Sequence, residues 1–327
     1  MHVQVVKDKI KVDLFNKSPL VVLILIIVLS GCQSKDKELF SVQNLQWEKQ
    51  GYIDLPEDEL PYSSFQLADA KKINTPFDSD SIEMFEYRGM VSYHPVSMGQ
   101  RCRTFINAYR QTKDKYYLHR AEKYADKLMT LADTINSAKY LRYSFTYAVH
   151  SDSANLFTPP WYSGMAEGVM LMDFCRLYDL TGELKYKQFA DDVFKSFLAL
   201  RRDHATWTVR VDTAGYYWVE EYPHDSIPGM TLNGYNSAIC GLYEYFRLTK
   251  KPEARKIYEL ALTTIKHYLP EFRVVGQRSY YCLGHKVTAN PGYHRLHITQ
   301  MGYLYRMTGD NFFKQFADSL EHDVSGQ

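Results

Sequence analysis

Apolar residues recur at helical spacing in four separate blocks of the chain. Tyr117, Ala121, Tyr124, Ala125, Leu128 and Ala132 fall on one helix face, as do Tyr186, Phe189, Ala190, Val193, Phe194 and Phe197. Ala254, Ile257, Tyr258, Ala261, Ile265 and Leu269 repeat the stripe, and Phe313, Phe316, Ala317 and Leu320 end it. Each block follows a similar passage: "YRQTKD" from Tyr109, "YDLTGE" from Tyr178, "FRLTKK" from Phe246 and "YRMTGD" from Tyr305, with starts 69, 68 and 59 residues apart. A threonine with charged neighbours can end one helix and cap the next, so each passage reads as the elbow of a helical hairpin. The incoming helices are less patterned, with Met165, Val169, Met172 and Cys175 as one stripe.

Strand-like segments separate the hairpins: "LRYSFTYAV" at 141–149, "WTVRVDTAGYYWVEEY" at 207–222 and "FRVVGQRSYYCLGHK" at 272–286. The last two predict β-hairpins turning at Asp212–Gly215 and Gly276–Arg278. Open helical solenoids rarely carry such an insertion in every repeat. The expected fold is therefore mainly α: an α/α toroid of about four helical hairpins, spanning residues 93–327, with β-hairpin excursions at one mouth. Residues 61–92, which include "MFEYRGMVSY", are expected to form a short extended or β segment.

The N-terminus carries an address. Lys7, Lys9, Lys11 and Lys17 precede the apolar run "PLVVLILIIVL", and "LSGC" closes it at Cys32. A basic start, a short apolar stretch and small residues before a break make a secretory signal, assigned to residues 1–31. "LSGC" resembles the lipobox of bacterial lipoproteins, which implies lipidation of Cys32 and anchoring to a membrane without spanning it. Residues 32–60 begin with "CQSKDKE" and read as a tether. The expected location is the bacterial outer membrane or cell surface, with its periplasmic side as the alternative. Cys102, Cys175, Cys240 and Cys282 remain, and their apolar neighbours favour buried free thiols over bridges.

The formal charge is +1 and no basic stripe stands out, which argues against a nucleic-acid partner. Tyrosine is abundant, 27 of 327 residues. This serves an aromatic core or a sugar-binding cleft equally well, because a phenol joins an apolar face to a polar tip.

The passage "WVEEYPHDSIPGMTLNGYNS" places Glu220, Glu221 and Tyr222 at the end of a strand, before a turn into a helix. In a toroid that end joins the other excursions at the mouth. "PPWYSGMAEG" at 159–168, "VEEYPHDSIPGMTLNGYNSAICGLYEY" at 219–245, "SYYCLGH" at 279–285 and "GYHRLHITQ" at 292–300 resemble, in that order, the C-terminal domain of D-glucuronyl C5-epimerases. "YHPVSMGQ" at 93–100 is similar to that domain's first helix, so the resemblance covers roughly residues 90–323. It implies an α/α barrel that inverts C5 of glucuronate within a heparosan-like or other uronate-containing polysaccharide.

It also implies roles. Glu221 and Tyr222 lie in the family's catalytic "EEYP", Tyr281 replaces the tyrosine before its "DLRH", and Tyr293 that of its "YHTTH". Trp161, Tyr162 and Glu167 fall in its "WYSAMAQG" helix start, with Glu167 in place of glutamine. Asn233, His285, His294 and His297 join the expected substrate contacts. The chemistry needs a base on one face of the sugar and an acid on the other, since a single group would return the proton to the side it left. Glu221 or Tyr222 is expected on one side and Tyr281 or Tyr293 on the other, with a nearby cation drawing a phenol's pKa down. The family's arginine in "DLRH" is Gly284 here and its aspartate is Cys282, which leaves Arg278 and Arg295 to restore the cation; Arg295, beside Tyr293, is the expected partner of the substrate carboxylate. His294 and His297 stand three apart with no acidic cluster, and neither a metal nor an organic cofactor is expected. Oligomeric state stays open. Two rival readings share the same residues: a polysaccharide lyase, which would expel the group at C4, and a glycan-binding lipoprotein without turnover.

Overall fold

The computed structural model describes residues 42, 44–72 and 76–325; the signal segment 1–31 and Cys32 lie outside the described residues. Among the described residues, eight long helices form four antiparallel hairpins: α1 (Pro95–Thr112) with α2 (Lys115–Leu131), α3 (Gly164–Thr181) with α4 (Leu184–Phe194), α5 (Leu232–Thr249) with α6 (Pro252–Phe272), and α7 (Pro291–Thr308) with α8 (Asn311–Val324). The protein is an α/α toroid with β excursions.

The four threonines of the repeat explain the elbows. Thr112, Thr181, Thr249 and Thr308 each donate to the carbonyl four residues back, at 2.7–2.8 Å. Each also accepts from the backbone N–H two residues on. One hydroxyl thus serves the last turn of one helix and the first residue of the chain's return. The residue after each threonine, Lys113, Gly182, Lys250 or Gly309, turns the chain in the left-handed region.

Helices α1, α3, α5 and α7 pack in that order as the inner row, while α2, α4, α6 and α8 cover them. Helices α3 and α5 are buried nearly all round, so their approach is close. A Cβ on Gly241 would stand 2.1 Å from the carbonyl oxygen of Gly168, and one on Gly168 2.4 Å from the Cα of Ala238. A buried ion pair crosses this contact. Arg176 Nε donates to Glu244 Oε2 at 2.8 Å and its Nη2 to Oε1 at 2.5 Å, both residues being buried. Tyr62 bridges the two ends of the inner row. Its carbonyl accepts from Asn107 of α1 at 3.0 Å, and its hydroxyl meets Ser237 of α5 at 3.0 Å and Gln300 of α7 at 2.8 Å.

Residues 44–60, within the segment expected to serve as a tether, are laid across the helices. Trp47 Nε1 donates to Glu259, the Glu48 amide to Thr263, the Ile53 amide to the Met307 carbonyl and the Leu55 amide to the Tyr243 hydroxyl. Residues 61–92 hold one short helical turn, Leu67–Lys71, and a hairpin of β1 (Phe85–Tyr87) with β2 (Met90–Ser92). Further antiparallel pairs precede the other inner helices. They are β3 (Ala132–Ile135) with β4 (Ala138–Leu141), β5 (Tyr147–Ala148) with β6 (Leu156–Phe157), β7 (Val209–Val211) with β8 (Tyr217–Val219), and β9 (Tyr280–Cys282) with β10 (Val287–Thr288). Elbows occupy one end of the hairpins, so all the excursions share the other end with the N-termini of the inner helices.

The β7–β8 turn falls where the sequence predicts it. The last hairpin does not turn at Gly276–Arg278 but at residues 283–286, because α6 runs to Phe272 and the chain after it is pinned by Asp323 to Arg273 (2.6 Å) and the Gly276 amide (3.1 Å). The four cysteines among the described residues are buried free thiols, as their apolar neighbours predict.

Two substitutions separate the elbow from the core. Thr181→Val should destabilise by about 1 kcal/mol, the net value of an ordinary hydrogen bond. Glu244→Ala should cost about 3–5 kcal/mol by stranding the Arg176 guanidinium. Urea denaturation measures both, and equal losses would contradict the distinction.

Candidate active site

Strand β8 ends at Val219, and the next two glutamates point to opposite sides. Glu220 is fully buried, with Oε1 2.7 Å from Arg210 Nε and Oε2 accepting the Met230 amide at 2.9 Å. It forms a structural ion pair that fixes the strand end. Glu221 faces the start of α5. A Cβ on Gly234 would lie 2.3 Å from its Oε2, so only glycine admits the carboxyl there. Asn233 Nδ2 approaches Oε2 at 3.5 Å, and the Tyr281 hydroxyl approaches Oε1 at 3.5 Å. Burial raises the Glu221 pKa to about 7, opposed by hydrogen bonds from Tyr222 and Tyr281.

Two pairs of rings meet at this carboxyl. Tyr222 stacks on Tyr147 with centroids 5.6 Å apart, and Tyr281 sets its edge to Tyr293 at 4.9 Å. They enclose a cleft of about 340 Å³, which His150 and Asn290 also line. Burial, then the charge of Glu221, pushes the Tyr222 and Tyr281 phenols well above their ordinary range, and burial raises Tyr293. The expected cation that would draw a phenol down is absent from the described lining, which contains neither lysine nor arginine. The phenols are therefore held as proton donors, and Glu221 is the group of this set suited to accept one at neutral pH.

The remaining expected residues divide. Trp161 stands behind the cleft, 6.0 Å from the Tyr147 ring and 6.3 Å from Tyr222, its Nε1 donating to the Phe145 carbonyl at 2.8 Å. Tyr162, next on the same extended segment, turns the other way into a separate depression, where its hydroxyl donates to Asp133 at 2.8 Å. Glu167 is wholly buried, accepts the Leu141 amide at 2.9 Å, and has its pKa driven well up by burial. It fastens β4 to α3 and lies outside the cleft. Asn233 backs Glu221 from the helix start. His285 contacts Cys282 Sγ at 3.4 Å beside the cleft. His294 and His297 face inward, where Ser279 hydrogen-bonds to both rings, and burial lowers His297 to about 3. They tie α7 to Ser279, the residue before β9. Arg295 is exposed and outside the lining. Two residues along a helix is about 200° of rotation, so it cannot share the face of Tyr293.

Gly284 has a packing reason. Its amide donates to the Gly229 carbonyl at 3.2 Å, and a Cβ there would stand 1.9 Å from the Pro228 carbonyl oxygen. An arginine at this position would displace the 228–230 segment from the turn. Tyr147 and His150 are among the cleft residues that the motifs missed. Their signal was topological: Tyr143, Phe145 and Tyr147 alternate in an excursion preceding an inner helix, as "EEYP" does.

Comparisons with known proteins bear on this arrangement. The family model described as D-glucuronyl C5-epimerase C-terminus matches residues 135–322. An uncharacterized protein of Methanocaldococcus jannaschii is 28% identical over 177 residues, 54% of this chain and 54% of its own; the chain thus spans about half the length of that curated relative. The fold is similar to that of cellobiose 2-epimerase from Bacillus thermoamylovorans, with TM-score 0.51 and 12% identity, covering 77% of this chain and 67% of that one. It is similar to an α-1,6-mannanase from Salegentibacter sp., with TM-score 0.51 and 13% identity, covering 80% and 68%. At such identities the likeness concerns the fold.

The Gly234 contact is testable. Gly234→Ala gains helix propensity, worth about 1 kcal/mol, yet should lower stability by about 1–3 kcal/mol through overpacking against Glu221. A thermally stabilised variant would contradict the contact.

Proposed function

The chain belongs to the D-glucuronyl C5-epimerase C-terminal family, and on that premise we propose that it inverts C5 of D-glucuronate residues in a uronate-containing polysaccharide by two-sided proton transfer. The observation that carries this reading is the Glu221 carboxyl, poised at about 7 and touching phenols that face the same cleft.

Glu221, as carboxylate, takes the proton from C5. The electron pair moves into the sugar's carboxylate to give an enediolate. Tyr293, the half-exposed phenol on the far side of Tyr281, gives a proton to the opposite face and inverts the centre. The proton on Glu221 returns through Tyr281, whose hydroxyl lies 3.5 Å from Glu221 Oε1 and is hydrogen-bonded to Tyr293. Tyr222 holds the Glu221 carboxyl from the other side. The starts of α5 and α7 direct their positive ends toward the site, which favours the developing negative charge. Arg88, stacked over Tyr87 at 5.3 Å and reaching Ser151 at 3.5 Å, stands at the rim where a polyanion would pass. We place the protein outside the cytoplasm, held by a lipid at Cys32.

The test is deuterium wash-in at C5 of heparosan-like and other uronate polymers in heavy water. Exchange at constant chain length supports epimerisation. Unsaturated, ultraviolet-absorbing ends would indicate the lyase reading, and binding without exchange a glycan-binding protein. Glu221→Gln should lower exchange by about 10²–10⁴-fold, and Tyr293→Phe should block inversion.

Exchange should also rise with pH through about 7, as Glu221 loses its proton. Stability moves oppositely. The unfolded chain releases this proton near the ordinary 4.5, so stability falls as pH rises from there toward 7. Glu221→Gln should remove that slope, and a flat rate profile across the same range would contradict the role of Glu221.

A further inference from the structure

The turn between β9 and β10 reads Cys282-Leu283-Gly284-His285, and a third side chain reaches it from elsewhere. Cys282 Sγ lies 3.2 Å from His150 Nε2 and 3.4 Å from His285 Nδ1. One ligand atom from each residue falls within 4.8 Å of the other two. Metal–nitrogen bonds of about 2.0–2.1 Å and a metal–sulfur bond of about 2.3 Å set nitrogen–sulfur separations of about 3.5 Å in a tetrahedral zinc site. Both contacts to the sulfur are close to that value.

The presentation of one of these ligands is itself constrained. The backbone that presents His150 is held in the left-handed region at two successive residues, His150 (φ 55°) and Ser151 (φ 60°), although neither is glycine. Such conformations persist where the surroundings demand them. The donor set is one thiol and two imidazoles, which suits zinc-like ions and not the oxygen-seeking calcium or magnesium.

We propose that His150, Cys282 and His285 bind a thiophilic divalent metal of the zinc class, with its remaining coordination position turned toward the cleft. His150 lines that cleft and sets its ring against Tyr281, with centroids 5.6 Å apart. Binding converts the Cys282 thiol to a metal thiolate and releases its proton to solvent, with no change in oxidation state. The use of the site rests on the epimerase reading: a carboxylate oxygen of the uronate takes the open position, and the ion supplies the positive charge that the lining side chains lack. The two cysteine-turn departures from "DLRH", Cys282 and Gly284, then belong together. The first provides the sulfur, and the second permits the tight turn that brings His285 to it.

The test is cobalt(II) titration of the purified, chelator-stripped protein, followed by absorption spectroscopy. The site predicts a saturable sulfur-to-cobalt charge-transfer band with intense tetrahedral visible bands, displaced by zinc. Cys282→Ser should remove the charge-transfer band. His150→Gln, on an excursion outside the helical core, should weaken metal binding by more than the about 10–100-fold typical of outer-shell changes. Circular dichroism and melting in chelator, matched to the stripped wild type, show that each variant is folded. Absence of the band in the wild type overturns the site, as does its persistence in Cys282→Ser. Metal binding without deuterium exchange on any uronate polymer would uphold the site and sink the epimerase reading, whereas full exchange by metal-free protein would uphold the epimerase reading and overturn the ion's role at the substrate carboxylate.

Discussion

The site depends on a carboxyl group pressed against a helix start that has no side chain in the way. Glu221 can sit where it does because position 234 is glycine, with space for Oε2 that a single methyl would fill. The same contact removes the carboxyl from water, raising its pKa toward neutrality. Its companion Glu220 locks the strand end through Arg210 and the Met230 amide, so the backbone that carries Glu221 is fixed from the other side. One glutamate of the pair supplies rigidity, and the other, held by that rigidity, is free to carry chemistry.

The scaffold serves this arrangement by sorting its connections. Each elbow is short and self-contained, closed by a threonine that bonds backward and forward along the chain. Length and variety are thereby confined to the opposite end, where the excursions converge on the inner helix starts. The close approach of α3 and α5 at Gly168 and Gly241 keeps the two central starts together. Tyr62 joins α1, α5 and α7, so a row of only four hairpins holds its two ends in place.

Much of this was legible in the sequence because it is local. The elbows follow from threonine, charge and helical period, and "EEYP" before a helix marks a strand end that faces a mouth. Glu221, Tyr222, Tyr281 and Tyr293 are brought together in the structure. What was not legible depends on direction and on distant partners. Arg295 neighbours Tyr293 in sequence but points away from it around the helix. His294 and His297 share a helix face, yet Ser279 claims that face for the core. Tyr162 and Glu167 fall within a site-like passage and are drawn to Asp133 and Leu141. Tyr147 and His150 carry no motif of their own, and their place in the cleft exists only because their excursion meets two others.

A crystal structure of Glu221→Gln with a bound glucuronate-containing oligosaccharide bears on the central claim most directly. The account predicts C5 of one uronate between the side chain at 221 and the Tyr293 hydroxyl, each within about 3–3.5 Å and on opposite faces of the ring. Both groups on one face, or a sugar seated away from the cleft between Tyr222 and Tyr281, would contradict it.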